Sequence, residues 1–503
     1  MNFYQLPFPI TIVFVPLLVC FLIPVFGWWK RTVCYPMVVT AVSISFISSL
    51  GIATRVLQQG PVQYFMGGWQ PPWGIEFYID HLNAVMAVLV TFISLLVVIF
   101  SKKSVEKELP EKELPFYCLF LLLFTGLIGI VVTGDMFNLY VFLEIASLST
   151  YALIATGEGR AAYSAFKYVI LGTVGACFYL LGVGYLYMAT GSLNMADLAG
   201  ILPSLYGSKV VITAFIFIMV GVAIKMALFP LHIWLPDAYT YAPSAVSSFV
   251  APLMTKVGAY VFIRILFKVF KPEFFMGVLH ATDIMLWFGI FAILFGGIMA
   301  LSQTDFKKML CYIIVAEIGY IIGGIGVANP TAVKGAIFHI LNDAVMATCL
   351  FMVAGMIMYK TKGHGISDFK AAFVKMPYTT VIFIAGALAV IGVPPTCGFF
   401  SKWYLLLGGI EAGQWAFVAA LLICTLITIA LFFKVIDQGL YIHAFKDASE
   451  QMETHQEIRS DDAPLMMLIP GFIIAAAIFL IGIFNQPILR GIIEFAVPKG
   501  LGG

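Results

Sequence analysis

Apolar windows of about twenty residues recur along the chain with short polar connections between them. About fourteen can be marked, from 8–26 at one end to 465–485 at the other, each long enough to cross a bilayer as a helix. The first ends at Trp28, Trp29, Lys30 and Arg31 rather than at a small-residue cleavage site, and a second window follows closely. It reads as the first helix of the mature chain, not as a signal peptide. The pattern predicts an all-α polytopic membrane protein.

Two windows are interrupted in a related way. AIKMALFPLHIWLPDAYTYAPS surrounds Lys225 with Pro230, Pro236 and Pro243, and VIGVPPTCGFFSKW precedes Lys402 with Pro394, Pro395 and Gly398. Such residues break a helix, and a broken helix at membrane depth is tolerated only where backbone is buried in protein or lines a wet cavity. The breaks fall in the seventh and twelfth windows, an odd number of crossings apart. Two five-helix units, spans 4–8 and 9–13, would then run in opposite senses as an inverted repeat. The expected division is 1–110 (three helices), 111–270 (first repeat), 271–436 (second repeat) and 437–503 (an inner connection and a last helix).

Composition supports this class: 61% of residues are hydrophobic and 11% charged, with no soluble domain between the windows. A net charge of +2 gives no case for nucleic acid. The odd-numbered connections hold about sixteen cations against about seven in the even ones and the tail, which places both termini outside. The longest polar stretch, Asp437 to Ala463, reads as a solvated inner connector. Trp28, Trp29, Trp69 and Trp73 read as interfacial anchors. The eight cysteines form no Cys-x-x-Cys or Cys/His cluster, so no cofactor, metal site or disulfide framework is expected.

Against this background, Glu144, Lys225, Lys256, Glu317, His339, Asp343 and Lys402 fall inside apolar runs. An ionisable side chain there costs roughly 2.5 to 3.5 kcal/mol even on the lenient insertion scale, so the default hypothesis is a path for ions. His232 and Asp237, beside the first break, either brace that loop or form an inner proton entry. Glu144 with Lys225 could equally be a static pair that fixes packing, and Lys256 or Lys402 could snorkel.

The stretches NLYVFLEIASLSTYAL at 138–153, IKMALFPLHIWLPDAY at 224–239 and PPTCGFFSKW at 394–403 resemble the antiporter-like proton-conducting subunits. These are shared by Mrp-type sodium/proton antiporters, respiratory complex I and membrane-bound hydrogenases. The chain's length and its FNLYVFLEI stretch are most similar to the D subunit of Mrp antiporters. The resemblance implies a central polar axis of Glu144, Lys225, Lys256, His339 and Lys402. It also implies a departure: Asp343 and Ala347 stand where a histidine and a lysine often follow, and Glu317 stands where glutamine is frequent.

The function expected is translocation of H+ or Na+ by a subunit of a multi-subunit cation/proton antiporter in the cell inner membrane. The alternative is the pump of a redox-driven complex, with electron carriers on other subunits. A membrane scaffold is the third possibility. Under the first two the partners are other membrane subunits.

Overall fold

The structure is a computed structural model that describes residues 8–361, 363, 365–366, 375–451, 461–498 and 501, without the side chains of 438–451. Helices α1 (Phe8–Trp29) and α2 (Cys34–Gln59) lead into a hairpin of β1 (Val62–Phe65) and β2 (Glu76–Ile79), paired antiparallel from Val62↔Ile79 to Phe65↔Glu76. Then follow α3 (His81–Glu108), α4 (Glu113–Val132), α5 (Met136–Ala155), α6 (Ala161–Thr190) and the short α7 (Met195–Ile201). An interrupted pair, α8 (Lys209–Lys225) and α9 (Leu235–Tyr241), precedes α10 (Ser244–Arg264), α11 (Thr282–Ser302), α12 (Phe306–Gly326) and α13 (Pro330–Thr361). A second interrupted pair, α14 (Pro377–Ile391) and α15 (Cys397–Glu411), is followed by α16 (Trp415–Gln451), α17 (Leu465–Ile483) and α18 (Asn485–Gly491). Among the described residues twelve helices are long and apolar enough to cross a membrane, and the two interrupted pairs come in addition.

The core sits on three of them. The apolar windows of α10, α12 and α13 are 100%, 94% and 100% buried, against 33% for α1, so these three are walled off from lipid by protein. Small residues bring the walls close: a side chain on Gly289 of α11 would strike the Gly323 backbone of α12.

Both breaks end a half-helix with a left-handed residue. After Lys225, the Leu228 N–H donates to Ala223 O and the Ala227 N–H to Ile224 O, with Ala227 at φ 59°. That is a Schellman-type ending with alanine where glycine usually sits. After Ile391, Gly392 takes φ 91° and the Val393 N–H returns to Leu388 O. Gly398 then passes so near α14 that a Cβ would lie 2.0 Å from Ala389 O.

Contacts sort the connections into two sets. At the hairpin end, Phe77 bridges Thr133, Asp135 bridges Asn194, and Asn329 donates to Gly408 O at 2.8 Å. At the opposite end, Asp237 binds Lys167 and Lys308 at 3.4 and 3.2 Å, and Lys112 donates to Thr156 O at 3.2 Å. Even-numbered connections meet even ones and odd meet odd, so the α8–α9 and α14–α15 pairs run in opposite senses.

The structure differs from the sequence reading in several places, α18 beyond the last window among them. The hairpin and α7 lie in stretches that the apolar pattern leaves without an element. The stretch from Asp437 is not connector throughout, because α16 continues to Gln451. No proline stands between Asp437 and Pro464, and Ala, Lys, Glu and Gln favour helix. Lys362, Lys370, Glu453, Gln456, Glu457 and Arg459, assigned to connections, lie outside the described residues.

Candidate functional site

The intramembrane charges fall into three groups. The first stands at the end of a half-helix. Lys225, the last residue of α8, donates to Glu144 Oε1 at 3.1 Å and to Ser147 Oγ at 2.8 Å. Glu144 and Ser147 are three apart on α5 and so present side chains on one face. Lys225 also stands at the negative end of the α8 dipole, which favours the ammonium. Lys225 is buried, whereas Glu144 keeps 22% of its side chain open. That opening lies on the face of α5 that also exposes Val141 and Leu148.

The second group is at the centre. Lys256 of α10 and Asp343 of α13 approach to 2.9 Å, the lysine side chain entirely buried. Asp343 Oδ2 nevertheless has no aligned hydrogen-bond donor, so charge rather than hydrogen-bond geometry joins the two. Lys256 Nζ also points toward Ala251 O at 3.5 Å, a marginal bond.

The third group is the densest. His339 of α13 binds Glu317 Oε2 of α12 through Nε2 and Ser401 Oγ of α15 at 2.9 Å through Nδ1. Lys402 lies 3.5 Å from the other Glu317 oxygen and donates to Val390 O at 2.5 Å, in the last turn of α14. Tyr320 closes the group, its ring 4.9 Å from Lys402 Nζ and edge-on to His339 at 5.3 Å. One carboxylate is thus shared by a histidine and a lysine. Asp343, one turn from His339 on α13, is the step from this group to the second.

Beside Lys225, where α8 faces α10, the packing is apolar. A cavity of about 10 Å³ there is lined by Lys225, Leu143, Val222, Met254 and Val257, room for about one water.

His232 and Asp237 are not brought into the row. His232 is buried between Phe229 and Phe295, ring centroids 5.5 and 5.1 Å away, with Nδ1 unpartnered. Asp237 is held by Lys167 and Lys308 at the end opposite the hairpin. The four tryptophans read as anchors are all largely exposed. Among the described residues no group of three or more His, Cys, Asp or Glu is placed to hold a metal ion.

Sequence reasoning missed the neutral partners Ser147, Ser401 and Tyr320. Ser147 lay within reach, being three residues after Glu144. It also missed a charged pair at the hairpin end. Asp80 Oδ1 caps α3 through the Leu82 and Asn83 N–H groups, while its Oδ2 accepts from Arg264 at 2.5 Å, with Lys268 at 3.6 Å. Burial works against ionisation of Asp80, but the Arg264 charge and hydrogen bond hold its carboxyl below the usual carboxylate range.

Residues 133–428 match the family model described as NADH:quinone oxidoreductase/Mrp antiporter, TM, and residues 69–104 match that of the complex I chain 5 N-terminus. The chain is 45% identical to the N subunit of the NADH-quinone oxidoreductase of Desulforudis audaxviator, over 91% of this chain and 92% of that one. It is 30% identical to the D subunit of the Na(+)/H(+) antiporter of Alkalihalophilus pseudofirmus, over 89% and 88% respectively. Among solved structures, a chain of an archaeal membrane-bound sulfane sulfur reductase superposes with a TM-score of 0.88 at 28% identity, covering 97% of this chain and 96% of that one.

Proposed function

The chain belongs to the NADH:quinone oxidoreductase/Mrp antiporter membrane family, and from that premise we propose that it is a proton-translocating subunit of a multi-subunit cation/proton antiporter. The observation that carries this is the row Glu144·Lys225, Lys256·Asp343, His339·Glu317·Lys402, set on buried helices and at both helix breaks.

The row works by exchanging partners. At 3.1 Å and an effective dielectric of about 20, the Glu144–Lys225 attraction is roughly 5 kcal/mol before desolvation is subtracted. A membrane potential supplies about 2.3 kcal/mol per charge per 100 mV, which is of the same order. When a proton reaches Glu144, Lys225 loses that attraction and releases its own proton toward Lys256. Lys256 and His339 are coupled through Asp343, and Glu317 passes the charge on to Lys402. The apolar packing beside Lys225 makes the first transfer the controlled one, since it opens only when water enters. Asp237, with Lys167 and Lys308, stands at the end opposite the hairpin, and the cations of the odd-numbered connections support reading that end as the inner side. The hairpin end and both termini then face out, in the cell inner membrane. The carboxylates Glu317 and Asp343 would also suit Na+, as the cation exchanged for protons.

A redox-driven complex is the second reading, favoured by the 45% identical relative named as part of a quinone oxidoreductase. Purification of the tagged chain from its native membrane in mild detergent, with mass spectrometry of every bound subunit, separates the two. Small membrane subunits alone support the antiporter, and iron–sulfur or flavin subunits in fixed ratio support the redox pump. A chain that purifies without partners contradicts both.

A further inference from the structure

One face of α10 carries Lys256, Tyr260 and Arg264 at every fourth position of an otherwise buried helix, and Lys268 follows in the π-helical turn Ile265–Val269 that continues it. Each has a partner that belongs to another element. Lys256 meets Asp343, the Tyr260 hydroxyl donates to Val131 O at 3.0 Å and accepts from Asn83 Nδ2 at 2.9 Å, and Arg264 and Lys268 share Asp80. The row ends in a cavity of about 980 Å³ at the hairpin end, lined by Glu76, Asp80, Arg264, Lys268 and Arg490 among others. Arg264 Nε and Glu76 Oε1 are buried there without partners.

The middle of this row holds more acceptors than hydrogens to fill them. Asn83 has two amide hydrogens, yet Tyr78 O, Val131 O and the Tyr260 hydroxyl all lie within 3.0 Å of its nitrogen. Only two can be served at once. The hydroxyl of Tyr260 therefore competes with Tyr78 O and Val131 O for the two Asn83 hydrogens, and it lies about 6 Å along the helix from its neighbours on either side.

We propose that this face of α10 is a second route from the central pair Lys256·Asp343 to the hairpin end, one that bypasses His339, Glu317 and Lys402. It rests on the reading of the buried row as a proton path. A proton leaving Lys256 Nζ is taken up, through an intervening water, on the Tyr260 oxygen. The hydroxyl gives its own proton onward to water beside Asp80 and Arg264, which line the cavity, and is restored unchanged. Asp80 and Arg264 set the charge at that mouth, and Lys256 is recharged from the row.

The test is proton transport by the intact complex in vesicles, with Lys402→Ala, Tyr260→Phe and both together in this chain. Phenylalanine keeps the ring and removes only the hydroxyl. Lys402→Ala is expected to retain about a tenth or more of the rate, Tyr260→Phe to lose about half, and the double variant to fall at least about tenfold below Lys402→Ala alone. The route is overturned if the double variant is no slower than Lys402→Ala, or if Lys402→Ala alone abolishes transport. It is equally overturned if Tyr260→Phe lowers the thermal stability of the complex without changing any rate, since the network is then a staple. Should the double variant fail to assemble, Lys402→Gln with Tyr260→Phe serves in its place. The row itself is tested separately, by Lys225→Ala, so loss of the route and loss of the row are distinguishable.

Discussion

At the scale of the residue, the chain's charges work only in combination. Lys256 and Asp343 are 87 positions apart, and each alone would be an uncompensated charge in a dry interior. Asp343→Asn is expected to cost about 3 to 5 kcal/mol of stability and to lower the yield of assembled complex. Lys256→Met with Asp343→Leu should restore assembly without restoring transport. Size-exclusion yield and vesicle transport, measured on the same preparations, check both halves. Recovery of transport in the double variant would make the pair structural. The sequence made the individual charges legible, because each stood in an apolar run where it is costly. It did not give the pairing, since Lys256 with Asp343, or Glu317 with His339, is settled by how α10, α12 and α13 pack. Asp80 escaped notice for another reason: it sits in a polar connection, where a carboxylate is ordinary.

At the scale of the element, the two breaks do the positioning. Each puts a lysine beside the carbonyl end of a half-helix, Lys225 at the end of α8 and Lys402 on Val390 O of α14. The prolines and glycine announced both breaks in the sequence. What ends the first half-helix was hidden, because alanine at 227 carries no mark of a left-handed residue. Ala227→Gly should be neutral or should stabilise by up to about 1 kcal/mol, read as an unchanged or raised melting temperature of the complex. Gly398→Ala should do the reverse. The added methyl would overlap Ala389 O, pushing α15 from α14 and moving Ser401 and Lys402 away from His339 and Glu317. We expect loss of transport before loss of assembly, and an unaffected rate would show that this close approach is dispensable. The hairpin and α7 were illegible for a simpler reason. Strands of four residues and a seven-residue helix are too short to set up a hydrophobic period.

At the scale of the whole molecule, the arrangement is a shell of helices around three buried ones that carry Lys256, Glu317, His339 and Asp343, with Glu144, Lys225 and Lys402 on the helices packed about them. Apolar windows gave nearly all of this architecture, because in lipid a segment must satisfy its own backbone and helices are the available solution. The senses of the two broken pairs could be inferred from parity alone, and the contacts among connections agree with that inference. Which subunits surround the chain could not be read, since a lipid-facing surface and a subunit-facing one are both apolar. If protons cross through the row of ion pairs, its first member controls their passage. The intact complex, carrying Lys225→Ala or Glu144→Gln, is reconstituted in vesicles and its proton transport followed with a pH-sensitive dye. Each variant is expected to retain its full set of subunits and to lose at least about tenfold in rate. Fully assembled complexes that transport at the original rate would contradict passage through the row.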